Sequence, residues 1–231
     1  MSPDQLVLGL TWFVVFLFST TLHEAGHAFA AYRLGDPTAY HGGQVTLNPL
    51  PHIQREPFGM ILVPLITFAT MGWMMGWASA PYDPTWARRY PRRAALMALA
   101  GPFANLLLVL AAGLAMRAGL AAGVFAPTPI SFTELVTATG PGVMAGAAAP
   151  LSILFSLNLL LCVFNLIPLP PLDGSAVLPA FMSPRLADRY DTLLHMPMLS
   201  LVGLLLAWKV FPPIYYPIQT LALRILYAGL F

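Results

Sequence analysis

The sequence predicts an all-α polytopic membrane protein with five to six apolar helical segments, a short extended or β-hairpin stretch, and a re-entrant segment beside its polar cluster. Three observations lead there. Of 231 residues, 58% are hydrophobic and 9% are charged, whereas soluble domains are about a quarter charged; the mean hydropathy is +0.74. Apolar runs recur along the chain, most of them near the ~20 residues a helix needs to cross a bilayer. The connections between them are short and leave no room for a large appended soluble domain.

The runs cover residues 6–32, 58–77, 94–124, 143–167, 193–210 and 214–231. The first is too long for a signal peptide and follows no basic n-region, so it reads as a retained spanning helix. Residues 42–50, Gly-Gly-Gln-Val-Thr-Leu-Asn-Pro-Leu, read as extended, with glycines before and a proline within. The last two runs read as a C-terminal helical hairpin, 193–231, following a core of 6–174 in one membrane domain, 1–231. Gly119/Gly123 and Gly142/Gly146 have the spacing of close helix packing. The net charge of +2, with no basic run interleaved with aromatics, excludes nucleic-acid binding. Cys162 is the single cysteine, which excludes an intrachain disulfide and a cysteine-based zinc site.

Inside the first run stands His23-Glu24-Ala25-Gly26-His27. Two imidazoles four residues apart share one helical face and can hold one metal ion. A glutamate between them can activate metal-bound water, the zinc-hydrolase pattern. Two histidines leave such a site one ligand short. The candidates for the third are His41, His52, His195 and a few carboxylates, among which Asp173 stands out. It follows a helix broken by Pro168, Pro170 and Pro171. Broken helices at membrane depth line polar sites, and carboxylates there are functional by default. His41 and His52 read as interfacial polar residues, and His195 as a helix start unrelated to the metal. Asn105, in Ala-Gly-Pro-Phe-Ala-Asn, reads as a tie across a kink. Ser19, Thr20 and Thr21 either support the histidines by hydrogen bonds or bond back to their own helix.

Three stretches, 23–27, 100–105 and 165–174, occur in an order and membrane placement that resemble the site-2 protease family of intramembrane zinc metalloproteases. The form is a short prokaryotic one without a PDZ or CBS domain, and the resemblance covers nearly the whole chain. It implies that His23, His27 and Asp173 hold one Zn2+ per chain and that Glu24 is the catalytic carboxylate. It implies that Asn165 positions substrate or stabilises the oxyanion. The implied activity is a zinc metalloendopeptidase hydrolysing peptide bonds of membrane-spanning substrates, with Glu24 as general base and acid. The alternative is a protease-like zinc-binding scaffold or sensor, against which the intact Glu24 argues. A zinc transporter would carry ionisable residues along several helices, and these helices are nearly charge-free. The expected partners are a transmembrane protein substrate and the lipid bilayer, with a homo-oligomer left open. A substrate must be extended to be cut, and residues 42–50 are the strand expected to hold it.

The ligands constrain the topology. His23 and His27 lie near the C-terminal end of the first helix, and Asp173 follows the C-terminal end of the run 143–167. These helices must run parallel for the ligands to meet, so only one of the two intervening runs can cross. Residues 58–77, containing Pro64, Gly72 and Gly76, are therefore expected to be re-entrant, with a full crossing left open should the intervening helices be broken differently. Charge agrees independently. Arg33, Arg55, Arg88, Arg89, Arg92, Arg93, Arg185 and Arg189 then share the ligand side, leaving mainly Lys209 and Arg117 opposite. By the positive-inside rule the site faces the cytoplasm of a prokaryotic inner membrane.

Overall fold

The computed structural model describes residues 2–194 and 196–229, so the expectation for His195 lies outside the described residues. The first helix, α1 (Pro3–Leu34), starts where a helix should. Ser2 and Gln5 form a capping box, Pro3 takes a first-turn position that needs no N–H, and Asp4 sits at the positive end of the helix dipole. At 32 residues it is ~48 Å long, more than the ~30 Å hydrocarbon core. Two short helices follow, α2 (Thr38–His41) and α3 (Leu50–Arg55).

Residues 42–50 form no strand, contrary to expectation. Their backbone groups are used locally. Gln44 N–H donates to the Ala39 carbonyl, Asn48 N–H to Thr46 Oγ1, and Leu50 N–H to Asn48 Oδ1. Side-chain turns of this kind compete with a ladder and win where no partner strand lies alongside.

The run 58–77 is re-entrant. A π-turn, Phe58–Leu62, leads into α4 (Val63–Met71). Together they form a helix of about 21 Å, too short to cross. Gly72, at φ 79°, ends it in a left-handed conformation that β-carbon sterics deny to most residues. The chain then doubles back. Met75 N–H donates to Thr67 Oγ1 at 2.9 Å, and Trp77 N–H to the Gly59 carbonyl at 3.2 Å, beside the helix start. Gly59 and Gly76 permit this approach, since a Cβ on either would overlap the other segment's backbone. The tip residue Met74 is buried with Trp12, Phe16, Ile153 and Leu157.

Beyond an irregular stretch come α5 (Pro84–Arg89) and α6 (Pro91–Ala121). A small antiparallel hairpin follows, β1 (Phe125–Pro127) paired with β2 (Val136–Ala138). Next are α7 (Val143–Asn165), α8 (Asp173–Val177) with a 3-10 turn at Leu178–Phe181, and α9 (Pro184–Leu194). The last helix, α10 (Pro197–Leu226), is continuous, so the expected C-terminal hairpin is a single helix despite Pro212, Pro213 and Pro217 inside it. Its final carbonyls are filled from α6: Arg117 Nη1 donates to Ile225 O at 2.6 Å and Leu226 O at 3.1 Å, and Nη2 to Ala228 O at 3.3 Å.

Four helices among the described residues, α1, α6, α7 and α10, are long and apolar enough to cross a membrane. The protein is an integral membrane protein. Leu10, Val14, Phe103, Leu107, Leu110, Leu114 and Leu201 are exposed along them, as a lipid-facing surface requires. α1, α6 and α7 pack on one another, and α10 packs on α6 and α7. The main apolar core joins Val109, Met116, Phe155, Leu159 and Phe211 with Phe125 and Val136 of the hairpin. One full crossing separates α1 from α7, so their C-terminal ends lie on the same side.

Candidate metal centre

The C-terminal ends of α1 and α7 and the N-terminal half of α6 meet around His23, His27 and Asp173. One donor atom from each of the three lies within 4.8 Å of the others. His27 Nε2 and His23 Nε2 are 3.0 Å apart. Asp173 Oδ2 is 3.2 Å from His23 Nε2, and Oδ1 is 3.3 Å from His27 Nε2. A tetrahedral zinc site with bonds of about 2.0–2.1 Å spaces its donors roughly 3.3 Å apart. The triad has that spacing.

Two further features fit a metal ion. Asp173 Oδ2 is buried with the His23 ring nitrogen beside it and no other polar partner, a costly state unless a proton or a cation lies between them. Gly101 of α6 faces the triad, and a Cβ there would overlap His27 Nε2 and come within 2.6 Å of His23 Nε2. The glycine keeps the space between helix and imidazoles clear.

Each imidazole is fixed through its other nitrogen. His27 Nδ1 lies 2.8 Å from the Met97 carbonyl, and His23 Nδ1 lies 2.5 Å from Asn105 Oδ1. Asn105 Nδ2 donates to Asn158 Oδ1 at 2.7 Å, and Asn158 Nδ2 donates to Ser19 Oγ at 2.8 Å. Asn105, Asn158 and Ser19 are wholly buried. Asn105 thus touches a site histidine as well as tying helices together. Of the three hydroxyls before His23, Ser19 joins this chain, Thr20 bonds back to Phe16 O at 2.8 Å, and Thr21 Oγ1 is buried without a partner.

Glu24, His27 and Asp173 line a cavity of about 410 Å³ that also reaches Arg88, Asp188 and Asp191. One wall is the irregular stretch 78–82. It is anchored at both ends. Ser79 Oγ donates to Glu56 Oε1 at 2.6 Å and accepts from Arg55 Nε at 3.1 Å, while Trp77 Nε1 donates to Glu56 Oε2. Beyond it, the buried Asp36 accepts from Asp83 N–H at 2.8 Å. Between the anchors, Ala78, Ala80 and Tyr82 make no backbone–backbone hydrogen bond to a described residue.

The other expected residues lie elsewhere. Asn165 Nδ2 donates to the Leu161 carbonyl of its own helix at 3.0 Å, and Asn165 does not line the cavity. His52 is buried rather than interfacial, with Nε2 3.2 Å from Thr46 O. Sequence reasoning missed Asn158, Gly101 and the stretch 78–82. The signal available for Asn158 was a polar residue inside the apolar run 143–167.

The profile of peptidase family M50 matches residues 11–205. The chain is 34% identical over 178 residues to "Putative zinc metalloprotease YwhC" of Bacillus subtilis, covering 74% of this chain and 68% of that protein. It is 32% identical over 169 residues to "Putative zinc metalloprotease Rip2" of Mycobacterium tuberculosis, covering 73% of this chain and 56% of that protein. A Mycolicibacterium smegmatis protein of the same name is 29% identical over 169 residues, with the same 56% covered. The match thus spans about two thirds of the first relative and little more than half of the others. No solved structure matches the chain.

Proposed function

The chain belongs to peptidase family M50, and on that premise we propose that it is an intramembrane zinc endopeptidase acting on membrane-spanning proteins. The observation that carries the proposal is the convergence of His23, His27 and Asp173 beside a cavity lined by His27, Asp173 and Glu24. The donor set, two imidazoles and a carboxylate, is that of a catalytic rather than a closed structural zinc site. When bound, zinc would supply a Lewis acid and a water molecule acidic enough to ionise near neutral pH. His23, His27 and Asp173 would hold it. Glu24 accepts the proton of the attacking water as the new C–O bond forms, and returns it to the leaving amine as the C–N bond breaks. Asn165 is given no step, because it does not line the cavity.

The substrate must present an extended peptide bond. The stretch 78–82 supports that role better than residues 42–50, because it lies along the cavity and Ala78, Ala80 and Tyr82 make no backbone–backbone hydrogen bond to a described residue. An unwound substrate segment adds to it as a strand, with its apolar ends in the bilayer. The basic residues at the metal end support a cytoplasmic placement of the site in the inner membrane.

The deciding experiment compares Glu24→Gln with the wild-type protein, both reconstituted in liposomes with a transmembrane peptide substrate. The variant is expected to bind zinc normally and cleave nothing measurable. Turnover by Glu24→Gln at the wild-type rate overturns the assignment.

A further inference from the structure

We propose that Asn105 and Asn158 are positioning residues that force the His23 proton onto Nδ1 and so keep Nε2 free for the metal. The inference rests on His23, His27 and Asp173 being the metal site.

The relay is oriented from an atom that cannot donate. Asn158 lies 2.8 Å from the backbone carbonyl of Leu154, one turn earlier in α7. A carbonyl only accepts, so the Asn158 nitrogen must face it. Its Oδ1 is then turned toward Asn105, 2.7 Å from Nδ2. That fixes the second amide in turn: Asn105 Oδ1 faces His23 Nδ1 at 2.5 Å. A bare ring nitrogen there would set lone pair against lone pair, so Nδ1 carries a hydrogen, and in the neutral ring Nε2 is left with its lone pair.

His27 achieves the same result directly, because its Nδ1 faces the acceptor-only Met97 carbonyl. His23 has a reversible amide in that place. An unconstrained asparagine could rotate, present its NH2 group to Nδ1 and send the imidazole proton to Nε2, where it would compete with a metal ion. Asn158 removes that freedom. The second acceptor of Asn158, Ser19 Oγ at 2.8 Å, returns the chain of bonds to α1, four residues before His23. The relay passes through α1, α6 and α7, and Asn105, Asn158 and Ser19 are fully buried, so water does not substitute for any of them.

The test uses the full chain in detergent micelles, stripped of metal and held at alkaline pH, where the imidazoles are neutral. Imidazole 15N resonances report the tautomer, with His23 assigned by its loss in His23→Gln. Zinc affinity is read by competition with a chromogenic chelator. The wild-type protein is expected to hold His23 as the Nδ1–H tautomer. Asn158→Leu should mix in the Nε2–H form and weaken zinc binding about tenfold, the lower end for loss of an outer partner of a ligand. Asn158→Asp should restore both. A buried carboxylic acid stays protonated, so its O–H donates to Leu154 and its carbonyl accepts from Asn105. A purely packing role would leave the tautomer untouched. The proposal is overturned by an Nε2–H tautomer in the wild-type protein, or by unchanged tautomer and affinity in Asn158→Leu. If the leucine variant does not fold, the aspartate variant decides, and a lost Nδ1–H preference there overturns the proposal. A correct tautomer in a wild-type protein that binds no zinc would reject the metal site and leave the relay standing.

Discussion

Asp173 Oδ1 stands 3.3 Å from His27 Nε2, which joins the short helix after the proline-rich turn to the first spanning helix. A site with three protein donors loses one in His27→Ala or in Asp173→Ala. Each is expected to weaken zinc binding by more than the roughly 100-fold that bounds the loss of an outer partner. Metal content per purified chain should fall to near zero in both and stay at the wild-type level in Asn165→Ala. Full zinc retention by Asp173→Ala would refute the three-donor site.

Gly101→Ala separates sterics from helix propensity. Alanine favours a helix over glycine by about 1 kcal/mol, so propensity alone predicts a neutral or stabilising change. The added methyl instead meets both imidazoles. Zinc binding and cleavage should be lost while circular dichroism reports unchanged helicity. Normal zinc affinity in this variant would mean that α6 stands further from the triad than described.

The hairpin formed by Phe58–Met71 and its return predicts which residues share a side of the membrane. In a Cys162→Ser background, Gln54→Cys and Thr85→Cys flank the re-entrant segment and are both exposed. A membrane-impermeant thiol reagent should label both from the same side. Glu134→Cys, exposed beside the β-hairpin, should label from the opposite side. Labelling of positions 54 and 85 from opposite sides would establish a full crossing.

Glu56 binds both Ser79 and Trp77, at one end of the cavity wall. Hydrogen bonds to a charged acceptor contribute about 1.5–3 kcal/mol each, though part of that is returned by water at this partly exposed site. Glu56→Ala should raise KM about tenfold, with kcat changed far less and zinc affinity unaltered. Equal loss in kcat and kcat/KM would place Glu56 in the chemical step and refute a role in holding the wall.

Much of the site was legible because its chemistry demands rare residues in a chain poor in them. His23, Glu24 and His27 announce themselves by spacing, and Asp173 by its place after a broken apolar helix. The re-entrant segment followed from requiring these residues to meet, and the return of Trp77 to Gly59 bears that out. Asn158 was hidden because nothing local distinguishes an asparagine that completes a relay from one that bonds to its own helix; it does both. Residues 42–50 misled because β-favouring Val45 and Thr46 sit among turn residues whose side chains take up the backbone amides. The runs 193–210 and 214–231 form one helix, because the packing of α10 on α6 and α7 accommodates Pro212, Pro213 and Pro217 within it.

The relay through three helices has a consequence for how the enzyme comes into being. His23 and His27 are made and inserted long before Asp173, and before Asn105 and Asn158 are in place to orient one of them. A half-built chain carries the hydrolase motif but lacks both the last ligand and the means of aiming the first. The donor set and the groups that aim it therefore come together only once α1, α6 and α7 have assembled.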